Sequence, residues 1–166
     1  MIKGTIMLTK FEDDLRRGKV GERIFVEDFL KFLGFKYEDV SDRQSFRIEG
    51  ADFLLPTGLV DVKANYKDDK KIIIEDWANI LTEKKGWFYT SSAKLFIFIS
   101  TKTRTMIILP NTGELHHWYE SSKDNYELKK NKVSVDRRGN RWQSAFRIVP
   151  IKDIPMGVAI YKLQRI

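Results

Sequence analysis

The chain has 166 residues, 42% hydrophobic and 13% aromatic, enough for one domain with a packed core and too apolar for a disordered segment. It has no cysteine, which excludes disulfides, zinc–thiolate sites and cysteine nucleophiles. Its net charge of +7 is uneven, with −1 on residues 1–64 and +8 on residues 65–166, a distribution that suits a polyanionic partner beside a carboxylate-rich half.

In chain order, residues 21–33 read as an amphipathic helix, with Phe25, Val26, Phe29, Leu30 and Leu33 forming one apolar stripe and Gly34 as the stop. Residues 11–17 also read as helical, with Gly18 as a break between the two stretches. Short strands are expected at 35–40, 51–55 and 59–64, the last two joined by the turn signal Pro56-Thr57-Gly58. Further strands are expected at 71–75, 94–100 and 105–109, a helix at 111–119, and late strands at 146–150 and 157–163. These elements describe an α/β or α+β domain around a mixed sheet. The longest apolar run, residues 95–99, is strand-sized and far from the roughly 20 residues that span a bilayer. The N-terminal stretch also lacks a leader pattern, so the expected setting is cytoplasmic, away from membranes.

The informative feature is the hairpin. A connection over residues 55–58 sets Leu54 opposite Leu59 and therefore Asp52 opposite Asp61. Lys63 shares the Asp61 face and Val62 points the other way, because side chains alternate along a strand. Two aspartates facing each other repel, and a divalent cation between them removes the repulsion. With His116 and His117 the sole histidines, and those two adjacent, oxygen ligands are expected, which suits Mg2+ or Mn2+. Glu22 lies on the apolar face of its helix and supplies a third carboxylate.

Such a set matches phosphodiester hydrolysis, which needs an activated water, a clamp on phosphoryl oxygens and help for the leaving group. Asp52, Asp61 and the Val62 carbonyl are candidate metal ligands, Glu22 a ligand to a second ion or to water. Lys63 is the candidate to orient or deprotonate the water and to offset phosphate charge.

Asp52, eight intervening residues and then Asp61-Val62-Lys63 resemble the PD-(D/E)xK nuclease superfamily, and Gly21-Glu22 is similar to the acidic position of its first core helix. Ala51 departs from the proline of the motif's name. A second stretch resembles small phage-type or Holliday-junction-resolvase-like members: Ile74-Glu75, Gly86-Trp87, Thr90-Ser91-Ser92 and the strand at 95–99. The resemblance implies an α/β fold with a restriction-endonuclease-like αβββαβ core, a central mixed sheet flanked by helices. It implies one nuclease-like domain over 1–166, with a core at about 18–110 and a basic extension at about 111–166. The implied activity is divalent-metal-dependent DNA endonuclease action, with branched DNA in recombination or phage DNA processing as a substrate, carried out by a homodimer. The alternatives are a catalytically inactive nucleic-acid-binding protein of the same fold and a partner-binding protein using the basic face.

Glu75 is a candidate additional active-site residue, set against a plain strand-end position. Lys129, Lys130, Lys132, Arg137, Arg138 and Arg141 surround the turn signal Gly139-Asn140 and are candidate phosphate-backbone contacts. Trp142 beside them reads as an anchor or a base-stacking group. Trp87, Phe88 and Tyr89 read more readily as core than as a stacking platform. Ser91 and Ser92 read as a cap or loop, and His116 and His117 as ordinary helix or loop residues.

Overall fold

The computed structural model describes residues 10–48, 50–65, 70–135, 138–158 and 161–164. Helix α1 (Lys10–Ile24) passes through Gly18 without a break. A glycine inside a helix costs only about 1 kcal/mol, and the run on either side carries it. The helix continues as a π-helical stretch, Phe25–Leu30, in which the Lys31 N–H donates to the Val26 carbonyl, and ends in α2 (Lys31–Leu33). Gly34 at φ 71° closes it, as a left-handed C-cap does. In this wider turn Asp28 joins the buried face with Phe25, Phe29 and Leu30, whereas Leu33, expected in the stripe, is exposed.

The expected strand at 35–40 shrinks to β1 (Glu38–Asp39), which is followed by α3 (Gln44–Ile48). Strands β2 (Phe53–Leu55) and β3 (Gly58–Asn65) form the hairpin, with Leu54 opposite Leu59 as expected. Next come β4 (Lys71–Asn79), β5 (Lys84–Lys85), α4 (Trp87–Thr90), β6 (Leu95–Ser100) and β7 (Thr105–Pro110). Helix α5 (Gly113–Ser122) starts on a Thr112 cap whose side chain accepts the Leu115 N–H. The chain closes with β8 (Lys129–Lys130), β9 (Ser134–Val135), β10 (Arg141–Trp142), β11 (Ala145–Pro150) and β12 (Tyr161–Gln164). Of the strand expected at 157–163, residues 157–158 belong instead to a 3-10 turn over 156–158, and 159–160 lie outside the described residues.

The fold is α/β with a mixed six-stranded sheet in the order β1-β2-β3-β6-β7-β12, in which β3 and β6 run parallel and the other pairs antiparallel. Strand β4 does not join it. It is longer than expected and sits in a second, antiparallel sheet of order β5-β4-β11-β8. Alternation along β6 explains the layering. Ile97 and Ile99 pack with Ile24, Phe25, Phe29 and Leu30 of the helix, while Phe96 and Phe98 pack with Ile72, Ile74 and Val149 of the second sheet and with Phe88, Leu115 and Tyr119. One face of the main sheet is thus covered by the long helix, the other by the second sheet with α4 and α5.

Candidate active site

The hairpin delivers the two aspartates by a route slightly different from a plain ladder. Backbone pairing between β2 and β3 stops at Phe53 opposite Val60. The Asp52 N–H still donates to the Val60 carbonyl, at 2.9 Å. Beyond that point the Asp52 side chain replaces the backbone, its Oδ2 accepting the Val62 N–H at 2.7 Å. This bond fixes the Asp52 carboxylate beside Asp61, close enough for the two groups to share a hydrogen bond when one is protonated. Asp61 is only 2% exposed, and its Oδ2 has no hydrogen-bond partner. Its Oδ1 is 2.8 Å from Lys63 Nζ. Val62 points to the opposite side, into the core under α1, as alternation requires.

Burial, and then the neighbouring Asp61 charge, push the Asp52 carboxyl up to about 6. Burial also raises Asp61, against the pull of Lys63. An orphaned, buried carboxylate oxygen facing a second carboxylate costs free energy as it stands. A divalent cation with hard oxygen ligands would satisfy it, so the aspartate pair fits the expected metal.

Helix α1 brings Glu22 to the same place through Gly21. A Cβ on Gly21 would lie 2.8 Å from the Ala64 Cβ of β3, so the helix packs backbone-close to the strand. Glu22, Asp52, Asp61, Val62 and Lys63 then line one cleft of about 470 Å³. Burial raises the Glu22 carboxyl, and a hydrogen bond from Lys19 Nζ at 2.8 Å counters that. Lys19 also donates to Ser41 Oγ, which in turn donates to Asp39. Glu22 is therefore held at the rim by a cation of the chain itself, and among the described residues no three Asp, Glu or His side chains converge as a ready-made metal cage.

Glu75 reaches the far side of this constellation. Its carboxylate accepts the Trp87 N–H at 3.3 Å, is raised by burial, and feels the Lys63 charge. Lys63 Nζ also lies 4.9 Å from the centre of the Trp87 ring. The contact depends on Gly86, whose Cβ would sit 2.1 Å from the Glu75 carbonyl oxygen. Phe88 is fully buried and Trp87 and Tyr89 pack against the same core, so this aromatic trio is mainly structural. Ser91 bridges its loop by accepting from Ala93 and donating to Gly50. His116 bonds Asn111 at 2.7 Å against the Phe88 ring, and burial lowers its pKa. Neither it nor the exposed His117 lines the cleft.

The basic stretch is exposed but does not reach the cleft. Lys129 and Lys130 form the edge strand β8, Lys132 follows, and Arg138 and Arg141 flank Gly139, which has φ 81°. Arg137 lies outside the described residues. Trp142 is 41% exposed beside them. Sequence reasoning missed two ion pairs made on buried aspartates. Arg104 grips the buried Asp28 with two bonds of 2.5 and 2.7 Å. Asp76 accepts the Tyr119 hydroxyl at 2.6 Å and is flanked by Arg147 at 3.4 Å.

Compared with protein-family models, curated proteins and solved structures, the chain matches none of them. Among the described residues no helix is long and apolar enough to cross a membrane.

Proposed function

We propose that the chain is a divalent-metal-dependent phosphodiesterase acting on DNA, a nuclease of the PD-(D/E)xK kind. The observation that carries this reading is the Asp52–Asp61 pair. The fold holds two carboxylates together, one with a buried and unpartnered oxygen, and sets a lysine beside them. Stability alone does not favour such an arrangement.

Asp52 and Asp61 would hold a Mg2+ or Mn2+ ion, with the Val62 carbonyl as a further candidate ligand. Once bound, that ion activates water and screens the phosphoryl oxygens. Lys63 Nζ orients the attacking water and offsets charge accumulating on the phosphate. Glu22, released from Lys19, orients water at the rim. Glu75 and the Trp87 ring keep Lys63 from leaving the cleft. The exposed Lys129, Lys130, Lys132, Arg138 and Arg141 supply backbone contacts to the polyanion. A homodimer acting on branched DNA is the form in which two strands would be cut symmetrically.

The test is a cleavage panel of labelled linear, flapped and four-way DNA with Mg2+ or Mn2+. Cleavage is expected with wild type and lost in Asp61→Ala and Lys63→Ala. Intact activity in either variant refutes the mechanism. Salt-sensitive DNA binding without cleavage by wild type would instead establish a catalytically inactive binding protein.

A further inference from the structure

Two lysines line the cleft, and each sits on a different carboxylate: Lys63 on Asp61 and Lys19 on Glu22. Leu15, Lys19 and Glu22 follow one another at i, i+4 and i+7 along α1 and face the cleft together. The Lys19 ammonium donates to Glu22 Oε2 at 2.8 Å and to Ser41 Oγ at 3.1 Å. Ser41 is itself anchored, its Oγ and N–H both donating to Asp39 Oδ1, at 2.7 and 3.0 Å. Asp39 and Asp42 add their charge to the pull of Glu22 on the ammonium. Helix stability is a poor reason for this pair. Lysine ahead of glutamate is the less favourable order along a helix, and such pairs contribute little. The partners also differ in burial, with the Lys19 side chain 50% exposed and that of Glu22 15%. The ammonium can leave for another ligand at low cost, whereas Glu22 needs a cation or water in its place. Charge points the same way. Glu22, Asp42, Asp52 and Asp61 line the cleft with the two lysines, an excess of two negative charges when all are ionised. One divalent ion at the aspartate pair cancels that excess. A second cation on Glu22 then requires further negative charge, which the phosphates of a polynucleotide bring.

We infer that Lys19 is a phosphate-binding residue of the cleft held in reserve on Glu22: a phosphate of the bound strand draws its ammonium off, and Glu22 is then free to take a cation or water. The exchange swaps one ion pair for another and makes no covalent bond. A compact, hydrated charge on a flexible four-carbon stem suits it. Lys63 from β3 and Lys19 from α1 then both address the substrate, in a cleft of about 470 Å³ that holds a phosphodiester group. Glu22 is in electrostatic contact with both Asp52 and Asp61, so a change of its partner is felt at the aspartate pair. Without a polyanion, Lys19 competes with metal for the cleft's acidic charge. With one, it helps to hold the substrate. The inference rests on the nuclease reading above and names a phosphate contact of that same site.

The test is a pair of titrations that read binding rather than turnover. One is calorimetry with Mn2+ alone. The other is fluorescence anisotropy of a labelled DNA duplex of about 20 base pairs in Ca2+, with strand integrity checked afterwards. Lys19→Met keeps the stem and removes the charge, and Lys19→Gln repeats the charge removal on a polar stem. Both are expected to bind Mn2+ about threefold or more tighter than wild type, because the cleft has lost its internal competitor. Both are expected to bind the duplex about threefold or more weaker, with a salt slope smaller by about one. Lys19→Arg retains the cation and is expected to stay near wild type in both titrations. The opposite signs are the signature, since removing a merely structural salt bridge weakens both or changes neither. Unchanged or weaker Mn2+ binding in the uncharged variants, unchanged duplex binding in them, or a wild type that binds no duplex overturns the inference. A wild type that binds Mn2+ and duplex while the variants show no opposite change refutes this inference alone. A wild type that binds no Mn2+ refutes the nuclease reading with it.

Discussion

Asp52→Asn tests the site through stability rather than turnover. The new amide oxygen keeps the bond from the Val62 N–H, and the amide N–H can donate to the orphaned Asp61 Oδ2. The charge repulsion disappears. In wild type the Asp52 carboxyl is raised from its ordinary 3.8 to about 6, so across that window the folded protein keeps a proton the unfolded chain has released. Stability from this group is therefore full below the unfolded value and lost as pH rises through the folded one. The loss is on the order of 3 kcal/mol at 1.36 kcal/mol per pH unit. In EDTA at about pH 8, Asp52→Asn should be more stable than wild type by about 2–3 kcal/mol, or roughly 5–10 °C in Tm for a chain of this size. Near pH 4 the two should converge. Urea and thermal unfolding at both pH values measure this. Asp52→Asn being less stable than wild type at about pH 8 without metal, or the gap staying constant with pH, would refute the strained-pair argument.

Three further outcomes follow from the same geometry. Affinity for Mg2+ should rise as pH increases through about 6, because the ion displaces the proton of the pair, and calorimetry in two buffers should detect proton release. Gly21→Ala should destabilise by about 1–3 kcal/mol through the clash with Ala64 and weaken Mg2+ binding by shifting Glu22, read by urea unfolding and titration. Arg104→Ala should cost about 2 kcal/mol by removing both charged bonds to the buried Asp28, while Arg104→Ala combined with Asp28→Asn should recover part of it in a double-mutant cycle.

The hairpin was the most legible part of the sequence. Turn chemistry and period-two alternation are local, so Leu54 opposite Leu59 and the shared face of Asp61 and Lys63 could be read directly. Glu22 was legible as an inward carboxylate, but its capture by Lys19 was not, since that depends on the path of residues 39–41. The fate of β4 was also hidden. Its isoleucines read as a strand, yet nothing local says which sheet a strand will join, and its partner β11 lies some seventy positions along the chain. The burial of Asp28 escaped an ideal helical period because the π-helical stretch changes that period. Its partner Arg104 sits in a turn at φ 53°, which composition does not mark.

The contact at Gly86 carries a mechanical consequence. With the Glu75 carbonyl where a Cβ would be, α4 abuts β4 with no side chain between them, and Trp87 beside it touches both Glu75 and Lys63. The start of α4 is thus pinned to β4 at one point rather than cushioned by side chains, and it cannot slide along that strand there. Any shift of β4 would therefore be passed to the Trp87 ring and to the Lys63 ammonium beside it. The α4 start then acts as a strut, tying the position of the cleft lysine to a strand of the second sheet.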